Sequence, residues 1–390
     1  MGLLLLRNAE VFAPEPLGLR HLLLGGGRIL WMGGEAPEVP AALGVEAIDL
    51  EGRRLVPGLI DAHVHITGGG GEAGFRSRVP PLALSRFTSA GITTVVGLLG
   101  TDDTVRSTRE LVAAVQGLRE EGLSAYGFTG GYHLPPATLT GSVRDDLVFI
   151  EPLIGVGEVA LSDHRSSQPT LDELLRLAAD AHVAGLMTGK AGIVHLHFGD
   201  GPRGLDLVRR ALETSELPPR VFHPTHVNRR KALFDEALDF ARQGGVIDVT
   251  AFPVEEGEDA WSAADAVLRF LDSGIARQRI TVSSDAGGCL PCFDADGRVS
   301  HMDVGEAGAL LETLRELIAR DVPLAEALPA FTSNPARVLR LGGKGRIAPG
   351  ADADLLALDE AGAVHTLVAR GVVHVRDGRL ERRGMFEPRA

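Results

Sequence analysis

Two histidines one residue apart, His63 and His65, close the apolar run Leu59-Ile60-Asp61-Ala62-His63-Val64-His65. On a strand, side chains at i and i+2 point to the same face. The two imidazoles therefore converge, and convergent neutral imidazoles make a ready edge for a divalent metal ion. A glycine run, Gly68 to Gly71, follows at once and leads to Glu72. A strand tipped with two ligands that breaks into a glycine loop points to a metal-dependent active site.

More of the same residue types recur at the ends of other apolar runs. His133 follows Tyr132; Glu158 precedes Ser162-Asp163-His164-Arg165; His195 and His197 precede Gly199-Asp200; His223 and His226 precede Asn228-Arg229; and Ser283-Ser284 precedes Asp285. Eight of the 13 histidines lie at such ends, a clustering that suits a metal site. His133, His164, His195 and His223 each read equally well as hydrogen-bonded core or rim residues. Asp285 also suits a helix N-cap. Cys289 and Cys292 have the spacing of half a zinc ribbon, but the chain has no other cysteine to complete one.

The elements that must position these groups alternate. The runs Leu59–His65, Thr93–Gly100, Ser124–Tyr132, Gly155–Asp163, Ile193–Gly199, Val221–Val227, Val246–Phe252 and Ile280–Ser284 read as strands. Amphipathic stretches lie between them, such as Thr104–Glu121, Thr170–Met187, Arg229–Arg242 and Ala260–Gly274. Strand–helix alternation predicts parallel strands, and eight units fit a closed (β/α)8 TIM-like barrel, an α/β fold with its chemistry at the C-terminal strand ends. The flanks read as short strands, and neither has apolar mass for its own core. Residues 1–55 and 344–390 are therefore expected to form one small β-sandwich beside a barrel of residues 56–343.

Composition bounds the rest. The chain has 390 residues, is 44% hydrophobic and carries a formal charge of -13. That balance argues against nucleic acid and anionic membrane surfaces as partners. Two cysteines cannot build a disulfide framework, which suits a reducing compartment. Met1–Leu6 is too short for a signal peptide, and no run reaches the ~20 apolar residues of a membrane span. A soluble cytoplasmic protein is expected.

Taken together, the segments Val56–Gly74, Ala90–Asp102, Thr129–Pro135, Leu161–Ser167, His197–Asp200, Pro224–Arg229 and Ser283–Gly288 resemble the amidohydrolase superfamily, and within it the isoaspartyl (β-aspartyl) dipeptidases. The resemblance covers nearly the whole chain. It implies two divalent metal ions, most often zinc: one on His63, His65 and Asp285, the other on His197 and His226. A hydroxide between the ions would attack the amide carbonyl. Asp285 would act as general base and then acid, and Tyr132 would donate to the oxyanion. Glu72, helped by Thr101, would hold the substrate ammonium, while Arg165 and Arg229 would hold its carboxylates. The implied substrate is a β-aspartyl dipeptide and the implied assembly a homo-oligomer. The same superfamily offers cyclic-amide hydrolysis of the dihydropyrimidinase or dihydroorotase type, and non-catalytic scaffolds of the same fold.

Two positions depart from that pattern. The family places a carboxylated lysine on strand four, bridging the metals. Here Glu158 stands in its place, and no lysine occurs between Arg54 and Lys190. Glu158 is shorter than the carbamate by roughly 3–4 Å, and an extra residue beside Gly157 is expected to bulge the strand inward. Glu158 is thus the expected bridging ligand. Cys289 stands where the family tends to place a serine that touches substrate carboxylate, and a thiol is the weaker donor.

Overall fold

All eight runs expected as strands form them in the computed structural model, which describes residues 2–293 and 299–388. They are β1 (Leu59–Val64), β2 (Ile92–Gly97), β3 (Ser124–Thr129), β4 (Leu153–Leu161), β5 (Val194–Phe198), β6 (Phe222–Thr225), β7 (Ile247–Thr250) and β8 (Ile280–Ser283). Strands β1 to β6 make one parallel sheet in chain order. Strands β7 and β8 pair with each other, also in parallel. A parallel bridge from Val64 to Ala286 joins the end of β1 to the segment after β8. The protein is thus a mixed α/β fold built on a parallel, curled half-barrel sheet, with the last two strands forming a separate ladder.

A helix follows each strand: α1 (Leu84–Thr88), α2 (Thr108–Glu120), α3 (Val143–Phe149), α4 (Leu171–Thr188), α5 (Asp206–Glu213), α6 (Lys231–Arg242), α7 (Ala263–Asp272) and α8 (Gly308–Ala319). The sequence dictates their limits. Thr170 and Glu173 form a capping box at the start of α4, and Gly189 ends it in the left-handed region, at φ 76°. Val95, Leu99 and Leu111 belong to the main apolar cluster, whereas Val96, Leu98 and Phe128 belong to another. Neighbouring residues of β2 thus face opposite sides of the sheet, as strand periodicity requires.

The two flanks join in one nine-stranded sheet. Arg54–Pro57 is its seam, pairing in parallel with Leu4–Phe12 and antiparallel with Leu355–Leu358. The sheet has its own apolar cluster, with Leu6, Val11, Leu22, Leu24 and Leu355 from both ends of the chain. Lys344 ties it to the parallel strands. This buried ammonium lies 2.7 Å from Ser124 Oγ and 2.8 Å from Asp352 Oδ2, and also pairs with Asp354. Burial opposes its charge, but the two carboxylates raise its pKa. Among the described residues no helix is long and apolar enough to cross a membrane.

His374, on the strand Val372–Arg376, is fully buried beside Gly122, and among the described residues neither ring nitrogen makes a hydrogen bond of good geometry. Burial, aided by Arg382, pushes its pKa down to about 4. The unfolded chain takes up this proton below about pH 6.5 and the folded chain only near pH 4, so stability falls as pH drops through that window. Between about pH 7.5 and pH 5 the loss from this group is roughly 2 kcal/mol. Urea unfolding of the wild type and of His374→Gln at both pH values is expected to show a smaller acid loss in the variant. Equal losses in the two proteins would contradict this.

Candidate active site

One carboxylate lies among four imidazoles. Glu158 Oε2 is 3.6 Å from His63 Nε2, 3.1 Å from His197 Nδ1 and 3.4 Å from His226 Nε2, and its Oε1 is 3.4 Å from His65 Nε2. A second carboxylate closes the far side, with Asp285 Oδ1 at 3.5 Å from His63 Nε2 and 3.1 Å from His65 Nε2. All six residues are buried.

Local backbone features aim these side chains. Val194 of β5 pairs with Val156 of β4, and Leu196 with Val159, so β4 holds one extra residue over this step. This is the expected bulge, and it falls at Gly157-Glu158. Gly157 has φ 150°, and a Cβ there would lie 2.6 Å from the His195 carbonyl oxygen, so only glycine fits. His226 and Asp285 both adopt left-handed conformations, at φ 61° and φ 54°. Such positions cost about 1–3 kcal/mol each and persist where the surroundings enforce them. At Asp285 the enforcement is visible: Asp61 Oδ1 accepts the Ser284 N–H at 3.1 Å, and its other oxygen accepts the Ser284 hydroxyl. Asp285 is not a helix N-cap. The backbone runs on into the strand Cys289–Phe293, and the next helix starts at Gly308.

The charges are mutually dependent. Burial opposes ionisation of Glu158 and Asp285, but the imidazoles hold both well below the usual carboxylate range, His63 and His197 for Glu158 and His63 and His65 for Asp285. The same carboxylates raise His63 and His65 against the effect of burial. His226, whose Nδ1 lies 2.7 Å from Thr250 Oγ1, is pushed down to about 3 by burial. Burial also drives His223 to about 4 and His195 well below the ordinary histidine value.

The donor set fits a divalent cation. Among the described residues His63 Nε2 and Asp285 Oδ1 are buried without a hydrogen bond of good geometry, Asp285 Oδ1 having His65 Nε2 as an ionic neighbour at 3.1 Å. Among the described residues two groups bring their donor atoms within 4.8 Å of one another: His63, His65 and Asp285, and His63, Glu158 and His226. Nitrogen and carboxylate donors in closed threes suit zinc or a similar ion. His197 stands outside both threes. Its Nδ1 faces Glu158 and the Tyr132 hydroxyl, 2.8 Å away, while its Nε2 lies 3.0 Å from Asp163 Oδ2.

A ring of charge surrounds the mouth. Arg165 grips Asp163 through Nε at 3.0 Å and Nη2 at 2.8 Å, and reaches Glu72 Oε1 through Nη1 at 3.1 Å. Arg229 Nη1 lies 3.5 Å from His197 Nε2. Thr101, Tyr132 and Cys289 line the same cavity as these groups. Burial, then Glu158, raises the Tyr132 hydroxyl well above the usual phenol range, so it is an O–H donor.

The remaining histidines separate. His133 pairs with Asp103 at 2.9 Å, and His164 is exposed, with Nδ1 3.6 Å from Asp163. His195 and His223 are buried behind His63. Sequence reasoning assigned no role to Asp61, Asp163, Asp248 or Thr250. Strand parity was the available signal for Asp248 and Thr250, which sit two apart on β7. Of the cysteine pair, the Cys292 side chain lies outside the described residues.

The amidohydrolase family profile matches residues 54–374. A β-aspartyl dipeptidase from Fervidobacterium islandicum AW-1, solved in complex with the dipeptide β-Asp-Leu, superposes with a TM-score of 0.91 at 42% identity, covering 98% of this chain and 99% of that one. An imidazolonepropionase from Salinispora arenicola is 29% identical, over 93% of this chain and 92% of its own. A dihydroorotase from Pelotomaculum thermopropionicum is 26% identical, over 81% of this chain and 80% of its own.

Cys289 offers a direct check on the electrostatics of the mouth. Burial, then the Glu72 carboxylate, pushes its thiol up to about 11. The thiolate is the reactive form, so alkylation of Cys289 by iodoacetamide at about pH 8 is expected to run about 100-fold slower than that of glutathione. Residue-resolved mass spectrometry reads the rate, and a rate within about threefold of glutathione would contradict the assignment.

Proposed function

The chain belongs to the amidohydrolase family, and on that premise we propose that it hydrolyses the isopeptide bond of β-aspartyl dipeptides with the help of divalent metal ions. The observation that carries this reading is the charge pattern at the cavity mouth. Glu72 supplies one anion there, and Arg165 and Arg229 supply two cations. A β-aspartyl dipeptide carries one ammonium and two carboxylates, so the complement is one to one. The 42% identity with a β-aspartyl dipeptidase supports the same substrate class.

The chain's residues divide the work. His63, His65 and Asp285 would hold one ion and His197 and His226 the other, with Glu158 within reach of both sets of imidazoles. Ions held there, zinc by donor type, would supply polarisation of the amide carbonyl and a water of lowered pKa. Glu72 and Thr101 orient the ammonium. Arg229 takes one carboxylate, and Arg165 takes the other through the Nη1 group that faces Glu72. Tyr132, a phenol at working pH, donates to the carbonyl oxygen as negative charge grows there. Asp285 takes the proton released by the attacking water and passes it to the departing amine nitrogen. Cys289 lines the cavity as a neutral thiol, so it is not the nucleophile.

The architecture around this site is read as one barrel. Strands β1 to β8 close it, residues 56–343 are the catalytic unit, and residues 1–55 with 344–390 form a β-sandwich beside it. A cytoplasmic homo-oligomer is the assembly we assign. Cyclic-amide hydrolysis is the second reading, favoured by the resemblance to imidazolonepropionase and dihydroorotase.

Amine release from the two dipeptides, with dihydroorotate ring opening followed by ultraviolet absorbance, separates the two. The metal-loaded enzyme is expected to cleave β-Asp-Leu and to leave α-Asp-Leu and dihydroorotate at least about 100-fold slower. Asp285→Asn is expected to lower turnover at least about 100-fold, the scale of general acid–base catalysis. Metal-loaded protein that leaves β-Asp-Leu intact would refute the proposal.

A further inference from the structure

Behind His63 a line of side chains leads away from the cavity. His63 Nδ1 is 2.8 Å from His195 Nε2, and His195 Nδ1 is 3.0 Å from His223 Nδ1. His223 Nε2 is 3.2 Å from Thr281 Oγ1, which in turn lies 2.6 Å from Asp248 Oδ1. The second Asp248 oxygen accepts the hydroxyls of Thr225 at 2.7 Å and Ser283 at 2.5 Å. All of these residues are buried, and the line links β7, β8, β6, β5 and β1.

The far end sets the direction of every proton. A carboxylate only accepts, so Thr281 donates its hydroxyl hydrogen to Asp248. The alternative acceptor, the Ile247 carbonyl, is farther away at 3.4 Å. Thr281 must then accept from His223 Nε2–H. That leaves His223 Nδ1 as an acceptor, filled by His195 Nδ1–H. His195 Nε2 is then an acceptor, filled by His63 Nδ1–H. The result is a lone pair on His63 Nε2, the atom that faces Glu158 and Asp285. Reversing the line would put a proton on His63 Nε2 and strip the buried Asp248 oxygen of its Thr281 donor. The Asp248 end favours the first direction in the chain itself, and a cation at His63 Nε2, which needs the lone pair there, would favour it from the other end.

We propose that Asp248, Thr281, His223 and His195 are positioning residues that lock the tautomer of His63 and so present its Nε2 to a divalent cation. The proposal rests on His63 being a metal ligand, as read above. Partners of this kind behind a metal ligand typically affect affinity by about 10- to 100-fold.

The test uses zinc-loaded enzyme with 15N-labelled histidine, whose NMR shifts distinguish a protonated ring nitrogen from a bare one. The expected pattern is a proton on Nδ1 of His63, on Nδ1 of His195 and on Nε2 of His223, with His63 Nε2 responding to zinc. The nearly isosteric Thr281→Val is expected to scramble the tautomers of His223 and His195 and to weaken zinc retention against a chelator about tenfold. Thr281→Ser restores both. If His63 responds to zinc while His195 carries its proton on Nε2, the proton order is overturned alone. If His63 ignores zinc, the ligand reading falls and this proposal with it. A folded Thr281→Val protein with unchanged tautomers and zinc retention would also overturn it. The wild-type spectrum decides the matter even if the variant does not fold.

Discussion

Everything at this site turns on how one short carboxylate reaches four imidazoles. Glu158 touches the histidines of β1, β5 and the turn after β6 from a single position on β4. On β4 one extra residue falls at Gly157-Glu158, opposite His195. Gly157 is part of the same device, since any Cβ would strike the neighbouring strand. A dense cluster of donors in a dry setting would be costly if left unpaired. Here each carboxylate faces imidazoles, and His63 Nε2 and Asp285 Oδ1, which among the described residues make no hydrogen bond of good geometry, lie 3.5 Å apart.

Around that cluster the protein sets two layers with different tasks. The outer layer is at least partly exposed: Glu72, Arg165 and Arg229 at the mouth. Arg165 is held by Asp163 on one side, which leaves one amino group for Glu72. The inner layer is sealed. His195 rests against the Phe128 ring, at 5.1 Å between centroids, and His223 lies behind it. Every member of that polar line is buried, and in the proposed proton order its end group, Asp248, sets the direction.

Much of this was legible in the residues alone. Period-two spacing placed His63 and His65 on one face, and both rings do meet Asp285. The eight strands also followed from local pattern, and the bulge at Gly157 from the family resemblance. Other features did not. Parity says that His195 and His197 share a face, but not that the first backs His63 while the second meets Glu158, because that choice depends on which strand lies across the sheet. The same limit hid Asp248 and Thr281, whose partners lie on β6, β7 and β8. Asp163 was hidden differently: it sits in a loop, where no periodicity applies. The flanks read as short strands, but their joining into one nine-stranded sheet through Arg54–Pro57 is a long-range pairing that no local signal encodes.

The central claim is that Glu158 substitutes for a carbamate and supports two ions. Zinc titration of the apoprotein in buffer freed of carbon dioxide and bicarbonate tests it most directly, with bound metal counted per chain. The account predicts two ions in the wild type without any bicarbonate, and loss of the second in Glu158→Ala. A single tightly held ion in the wild type, unchanged by excess zinc, would contradict it.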